Sequence, residues 1–222
     1  MSVAAGSYTD AVGNDGGGDS DTVTIDTKNP EATVELTAGS LSDGSNSTAL
    51  TITFSESPFG FAPGDDLSVT GGVLGTGSFD TAILVWTASY TANDDFDGIG
   101  SVSLAADSYT DAAGNAGSGD SDSVTIDTKN PEATVELVAT SLSDGTNSTD
   151  LIITFSESPI GFIPGEDLTI TGGVLGTGSF DAANLVWTAT YTANDDFDGA
   201  GSVTLTAGSY ADAVGNVGSG GA

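Results

Sequence analysis

The chain has 222 residues, of which 32 are acidic and 2 are lysine, with no arginine, histidine or cysteine, for a formal charge of −30. Two cations cannot displace counterions from a run of phosphates, so nucleic acid is excluded as a partner. Without His or Cys there is no imidazole base, thiol nucleophile, disulfide or N/S-ligated zinc site.

Carboxylates and hydroxyls remain, and the metals that suit them are hard, oxygen-loving ones, above all calcium. By count 25 of the acids are aspartate and 7 glutamate. Hydrophobic residues make up 37% of the chain, more than a disordered acidic tail carries. No apolar run approaches ~20 residues, so no membrane insertion is expected. Met1 leads straight into small polar residues, with no signal-peptide pattern.

Taken from the N-terminus, the chain repeats itself. Tyr-Thr-Asp-Ala-Val-Gly-Asn at Tyr8 recurs, slightly varied, at Tyr109 and Tyr210. Val-Thr-Ile-Asp-Thr-Lys-Asn-Pro-Glu starts at Val23 and again at Val124. Every offset is 101, and aligning 28–115 on 129–216 leaves 69 of 88 positions identical. That period is too long for a solenoid and fits a whole small domain. The expected organisation is the end of one repeat in 1–27, a complete repeat in 28–128, and a repeat in 129–222 lacking its last strand. Residues 21–26 then read as a spare last strand, able to complete the final repeat of another molecule head to tail.

In the complete repeat, strands are expected at 32–38, 50–55, 67–70, 73–79, 83–91, 101–106 and 121–126, each rich in Val, Ile, Thr and aromatics. Gly, Asn, Asp and Pro punctuate them. The fold class is therefore all-β: tandem immunoglobulin-like β-sandwiches of about seven strands each. Leu50, Ile52 and Phe54 are expected to face inward, as are Leu84, Trp86, Ala88 and Tyr90. The repeats support this, because the substitutions Ala49 to Asp150, Thr51 to Ile152 and Ile83 to Asn184 fall on the opposite faces. Trp86 reads as core rather than as a sugar-stacking platform.

Strand order sorts the acids to the two ends of each sandwich. One end collects Asp26 and Glu31 of the entering linker, Glu56, Asp66, Asp111 and Asn115. The other collects Asp43 and Asn46 of the first turn, Asn93, Asp94, Asp95 and Asp97 of the later loop, and Asp127. In a tandem array the second end faces the first end of the next repeat, so carboxylates crowd at the junctions. The equivalents are Glu132, Glu157, Asp167, Asp212 and Asn216 at the first end, and Asn194, Asp196 and Asp198 at the second. Such crowding is unfavourable without a cation, and calcium takes six to eight oxygens of this mixture. Asn93-Asp94-Asp95-Phe96-Asp97-Gly98 reads N-x-D-x-D-G, the opening half of an EF-hand loop, although Leu104 stands where the closing glutamate belongs. The competing readings are a solvated Asp-Gly turn there and a simple turn-shaping role for Asp111 and Asn115.

Ile-Thr-Phe-Ser-Glu at 52–56, Gly60-Phe61, Asp-Asp-Leu at 65–67, Val-Thr-Gly-Gly at 69–72, Trp-Thr-Ala-Ser-Tyr-Thr at 86–91 and Tyr-Thr-Asp-Ala-Ala-Gly-Asn at 109–115 together carry a family resemblance. With Ile-Asp-Thr-Lys-Asn-Pro at 126–131, the chain resembles the bacterial Ig-like repeat of giant secreted adhesins, particularly the RTX type of Gram-negative bacteria. The resemblance implies an extender between the cell envelope and a distal adhesive tip, with calcium rigidifying the linkers. It also implies export by a type I system, a location at the bacterial cell surface, and a role in attachment and biofilm formation. The loop at 93–98 is more acidic than the family pattern, so a site there would belong to a subgroup. The rival readings are direct binding of a carbohydrate or protein ligand, and acidity for salt tolerance alone. No enzyme activity is expected.

Overall fold

A computed structural model describes residues 1–221. A short pair, β1 (Ser2–Val3) and β2 (Asp19–Ser20), precedes two beads. The first bead runs β3 (Ala32–Leu36), β4 (Ser40–Ser42), β5 (Ser47–Phe54), α1 (Pro63–Asp66), β6 (Leu67–Thr70), β7 (Gly72–Leu74), β8 (Ser78–Asp80), β9 (Val85–Ala92), β10 (Asp97–Leu104) and β11 (Asp120–Asp127). One sheet has the order β3-β5-β9-β7, with β8 also on β9; the other is β4-β11-β10-β6. Every pairing is antiparallel except β4 with β11, where the chain switches sheets after its first strand.

The alternation of the sequence becomes the two inner faces. Leu50, Ile52 and Trp86 are at most 5% exposed, and Phe54 3%. Register sets Ile52 opposite Trp86 and Thr48 opposite Tyr90. Phe54 meets Phe61, Phe79 and Tyr109 edge-on, at centroid distances of 5.1, 6.0 and 5.1 Å. Trp86 stacks edge-on with Phe61 and belongs to this cluster.

The structure adds β4 and the one-turn α1 to the expected strands, starts β5 at Ser47 rather than residue 50, and differs from the sequence expectation in three further places. The stretch 73–79 splits into β7 and β8, because Gly77 crosses the Trp86 indole so closely that a Cβ there would overlap it. The fifth predicted strand starts at Val85, since Leu84 adopts φ 58° to end the preceding turn. The sixth starts earlier, at Asp97 instead of residue 101, with Asp97 paired to Asp127.

The second bead runs β12 (Ala133–Leu137), β13 (Ser148–Phe155), α2 (Pro164–Asp167), β14 (Leu168–Thr171), β15 (Gly173–Leu175), β16 (Ser179–Asp181), β17 (Val186–Ala193) and β18 (Ser202–Leu205). Its first sheet, β12-β13-β17-β15 with β16 on β17, matches that of bead one. Its second sheet, as described, is only β14 with β18. Among the described residues, Gly221 alone continues it, bridging Leu205 in the position Asp120 holds in bead one.

β11 does more than fill a sheet. Its acids reach sideways to the outer edge of β3: Val34 and Leu36 donate their backbone N–H to Asp120 and Asp122, each at 2.7 Å, and Ala32 donates to Ser118 Oγ at 3.1 Å. Edge strands with unpaired amides are templates for aggregation, and here side chains occupy that edge.

Candidate metal centre

The site is built on the connection between β10 and β11. Asp111 Oδ1 accepts from the backbone N–H of Ala113 and of Asn115, both at 2.8 Å, and Oδ2 accepts from Asn115 Nδ2 at 2.7 Å. Gly114, at φ 93°, supplies the left-handed step the turn requires. The same turn closes at Asp10–Asn14 and at Asp212–Asn216. The segment around Asp10 lies outside both beads, so the motif is self-sufficient. The turn-shaping role of Asp111 and Asn115 is therefore present whatever else they do. Burial works to raise the Asp111 pKa, but the side-chain and backbone hydrogen bonds of Asn115, with those of Gly114 and Ala113, hold it below the usual carboxylate value.

This turn brings three of the sequence-nominated acids together. Carboxylate oxygens of Asp26, Glu56 and Asp111 lie within 4.8 Å of one another. Asp26 comes from the linker, Glu56 follows β5, and Asp111 is 2% exposed. Asn115 Nδ2 ties the linker in by donating to Asp26 O at 3.2 Å.

The counterparts Asp127, Glu157 and Asp212 stand at the junction of the two beads, where bead one adds Asp43 and Asp97. Asn216 is the hub there. Its Nδ2 donates to Asp212 Oδ2 at 2.7 Å, Asp127 O at 2.9 Å, Asp127 Oδ1 at 3.2 Å and Lys129 O at 3.3 Å. Its Oδ1 accepts from Asp43 N at 2.9 Å. Asn216 is fully buried, while Asn115, with no bead packed before it, is half-buried. Burial, then repulsion from Asp212, pushes the Asp127 pKa up. Glu157 is raised by burial and by Asp212, Asp127 and Asp97, with Lys129 opposing. Asp43 is raised by burial and by Asp94, Asp212, Asp127 and Asp95. The junction acids thus repel one another, although among the described residues only Asp26, Glu56 and Asp111 bring three carboxylate oxygens within 4.8 Å of one another.

The remaining nominated residues are placed otherwise. Asp66 Oδ2 accepts from Ala62 N at 2.6 Å and Asp167 Oδ2 from Ile163 N at 2.5 Å, so each closes its own one-turn helix. Glu31 and Glu132 are exposed, their backbone amides bound to Ser55 and Ser156. In the 93–98 segment, Asp97 and Gly98 belong to β10. Thr128, 1% exposed, staples the loop, donating to Asn93 O at 2.7 Å and accepting from Phe96 N at 3.0 Å. The result is a closed turn with Asp95 at φ 54°. Asn93 and Asp95 stay exposed, and Asp97 faces the junction acids. Asn194, Asp196 and Asp198 are exposed as well.

Strand order already puts Asp43 at this end of the bead, whereas nothing in the sequence pattern singles out Thr128. Asp43 sits in an ordinary Asp-Gly turn, and only its position facing the next bead distinguishes it.

A family model described as a bacterial Ig-like domain matches residues 26–128 and again residues 127–222. Among solved structures, the Yersinia pseudotuberculosis adhesin InvE is 16% identical, covering 78% of this chain and 54% of its own, with a TM-score of 0.34. Yersinia pseudotuberculosis InvD is 15% identical, covering 89% and 58%, with a TM-score of 0.29. The chain thus spans little more than half of either protein's length. Among curated proteins, none matches.

Proposed function

Because the chain belongs to the bacterial Ig-like domain family, in two tandem copies, we propose that it is a non-catalytic extender segment of a bacterial surface adhesin, stiffened by calcium at the joints between beads. The observation that carries this reading is the junction itself. Asp43, Asp97 and Asp127 of the first bead face Glu157 and Asp212 of the second, and burial and mutual repulsion raise Asp43, Asp127 and Glu157. The donor set is oxygen only, which suits calcium. Asp127 and Glu157 would hold the ion with Asp212, while Asn216 locks the linker carbonyls beside them. Bound calcium would neutralise the crowded carboxylates and tie two beads into one stiff unit.

Extracellular modules commonly bind calcium with Kd of about 10⁻⁴–10⁻³ M, and a hundredfold excess over Kd adds about 2.7 kcal/mol to the folded state. Small-angle scattering of the 222-residue chain tests the proposal. Calcium chloride is expected to narrow the distribution of end-to-end lengths and raise the maximum dimension relative to chelator. An unchanged profile, with no saturable heat in a calorimetric titration, rejects it and leaves general acidity as the role of the charge.

The pH response gives an independent reading. A carboxyl whose pKa is raised by folding contributes stability that is complete below its unfolded pKa and lost as pH rises through the folded value. In chelator, the melting temperature of the junction is therefore expected to rise as pH falls from neutral towards the carboxylate range. Excess calcium is expected to reverse that slope, because protons compete with the ion. Glu157→Gln is expected to flatten both trends; if the chelated protein keeps the full slope, Glu157 is not part of the response.

Direct ligand binding remains the second reading, and one feature favours examining it. Pro58, Phe61, Pro63, Phe79 and Trp86 line a shallow hollow that recurs as Pro159, Phe162, Pro164, Phe180 and Trp187. Trp86 is only 5% exposed, too little for a stacking platform, so a glycan array is expected to give no hits.

A further inference from the structure

The hollow that Pro58, Phe61, Pro63, Phe79 and Trp86 line lies away from the acids of the joint, and it recurs whole in the second bead. Its volume is about 270 Å³ in the first bead and about 260 Å³ in the second. Small-molecule pockets hold roughly 300–1,000 Å³ and enclose their ligand. This shallower shape suits part of a chain laid across it.

One close approach builds its floor. Gly77 passes over the nitrogen-bearing edge of the Trp86 indole, where a Cβ would fall 2.7 Å from Nε1. Gly178 repeats this over Trp187, at 2.8 Å. The two indoles are otherwise covered, at 5% and 6% exposure, with Phe61 and Phe162 packed edge-on against them. Their N–H groups find no acceptor among the described residues, where no fully buried side-chain donor or acceptor is left unpaired. Each Nε1–H therefore opens onto its hollow as a free donor, although a buried indole ordinarily finds a partner for this group.

The rim is acidic in both beads. α1, which starts at the lining Pro63, carries exposed Asp65, and β8, which supplies Phe79, ends at exposed Asp80. The second bead has Glu166 and Asp181 in these places, so the charge is kept where the residue changes. The two lysines of the chain stand in the linkers, at 28 and 129, and belong to neither rim.

The geometry points to docking of a basic, proline-bearing segment of another protein, held across this hollow in the polyproline II conformation. That conformation makes no internal hydrogen bonds, so its carbonyls are free to accept from the indole N–H. Its proline rings pack on the apolar walls, and because it is already extended it loses little entropy on binding to an aromatic-lined groove. An arginine or lysine beside the prolines meets the rim acids.

A second copy of this chain cannot supply the segment. Of its six prolines, Pro58, Pro63, Pro159 and Pro164 line the hollows themselves, and Pro30 and Pro131 are buried. A charge of −30 also sets copies against one another.

The test is a nitrogen-15 NMR titration of the full chain in chelator, which keeps the calcium proposal out of the outcome. The two tryptophans give two indole cross-peaks, assigned with Trp86→Phe and Trp187→Phe. The probe is the acetylated peptide Arg-Pro-Pro-Pro-Pro-Pro-Pro-Arg at about 0.15 M salt. Both indole cross-peaks are expected to move downfield and saturate, together with the amides of Gly77 and Gly178. Trp86→Phe keeps a ring but removes the donor, and is expected to weaken the first site about tenfold, read on the Gly77 amide. Asp65→Lys, at an exposed position that leaves the core intact, is expected to weaken the first site about fivefold and leave the second unchanged. Indole cross-peaks that stay still at millimolar peptide overturn the inference. So do equal shifts when Gly-Ser pairs replace the prolines, or when glutamates replace the arginines. Cross-peaks that move with protein concentration alone overturn it in favour of a second copy as the occupant.

Discussion

Tyr109→Ala is expected to unfold the first bead near physiological temperature. The ring is 1% exposed, meets Phe54 edge-on at 5.1 Å, and reaches Pro30 O with its hydroxyl at 3.4 Å. Gly117 lies flat across it, since a Cβ there would strike the ring. Truncating a buried aromatic costs about 3–5 kcal/mol, against the roughly 5–15 kcal/mol that holds a whole small domain. The loss also frees the linker at Pro30 and the turn that presents Asp111. In a denaturant titration followed by tryptophan fluorescence, the transition of bead one moves to far lower denaturant while that of bead two stays. Tyr109→Phe removes only the hydroxyl bond, for about 1 kcal/mol. Tyr8, 56% exposed in the same motif, tolerates alanine with no measurable change. A wild-type midpoint for Tyr109→Ala would show that the corner is not a keystone.

Asn216→Ala is expected to be the most costly change at the junction. It leaves the Asp43 N–H, the Asp127 and Lys129 carbonyls and the Asp212 carboxylate short of a partner in a buried place. One buried polar group left unpaired costs about 1–3 kcal/mol, more when charged, so a loss of about 2–3 kcal/mol is expected. Asn115→Ala breaks the equivalent turn where no bead covers it, and should cost about 1 kcal/mol because water replaces the lost partners. The difference measures how far the beads are coupled through Asn216. Differential scanning calorimetry reads it as a drop in the melting point of the second bead, with earlier separation of the two transitions. Equal costs for the two variants would mean that bead–bead packing adds nothing.

The sandwich was legible because burial enforces period two. Leu50, Ile52 and Phe54 alternate with positions 49, 51 and 53, two of which differ between the repeats, and the structure buries those three. What sequence pattern missed were features set by close approach rather than by hydrophobicity. The break between β7 and β8 depends on Gly77 passing over Trp86, and the late start of β9 on Leu84 at φ 58°. Among the acids, order along the strands sufficed to bring Asp26, Glu56 and Asp111 together. It gave no way to see that Asp66 is engaged by Ala62 N, or that Thr128 closes the 93–98 turn. Those depend on one hydrogen bond each, and a carboxylate has the same letter whether it faces an amide, water or an ion.

The Asp111 turn also sets an order of events in folding. It closes over four residues with no help from the rest of the bead, as the isolated copy at Asp10 demonstrates. The hairpin of β10 and β11 is thus cheap in loop entropy, whereas the bonds that join β3 to β11 span 86 residues. The β10–β11 hairpin of the first bead is the natural nucleus and β3 the last strand to dock. A chain that emerges C-terminus first presents each nucleus before the strands that must find it. One that emerges N-terminus first keeps most of a bead waiting until its final hairpin is free.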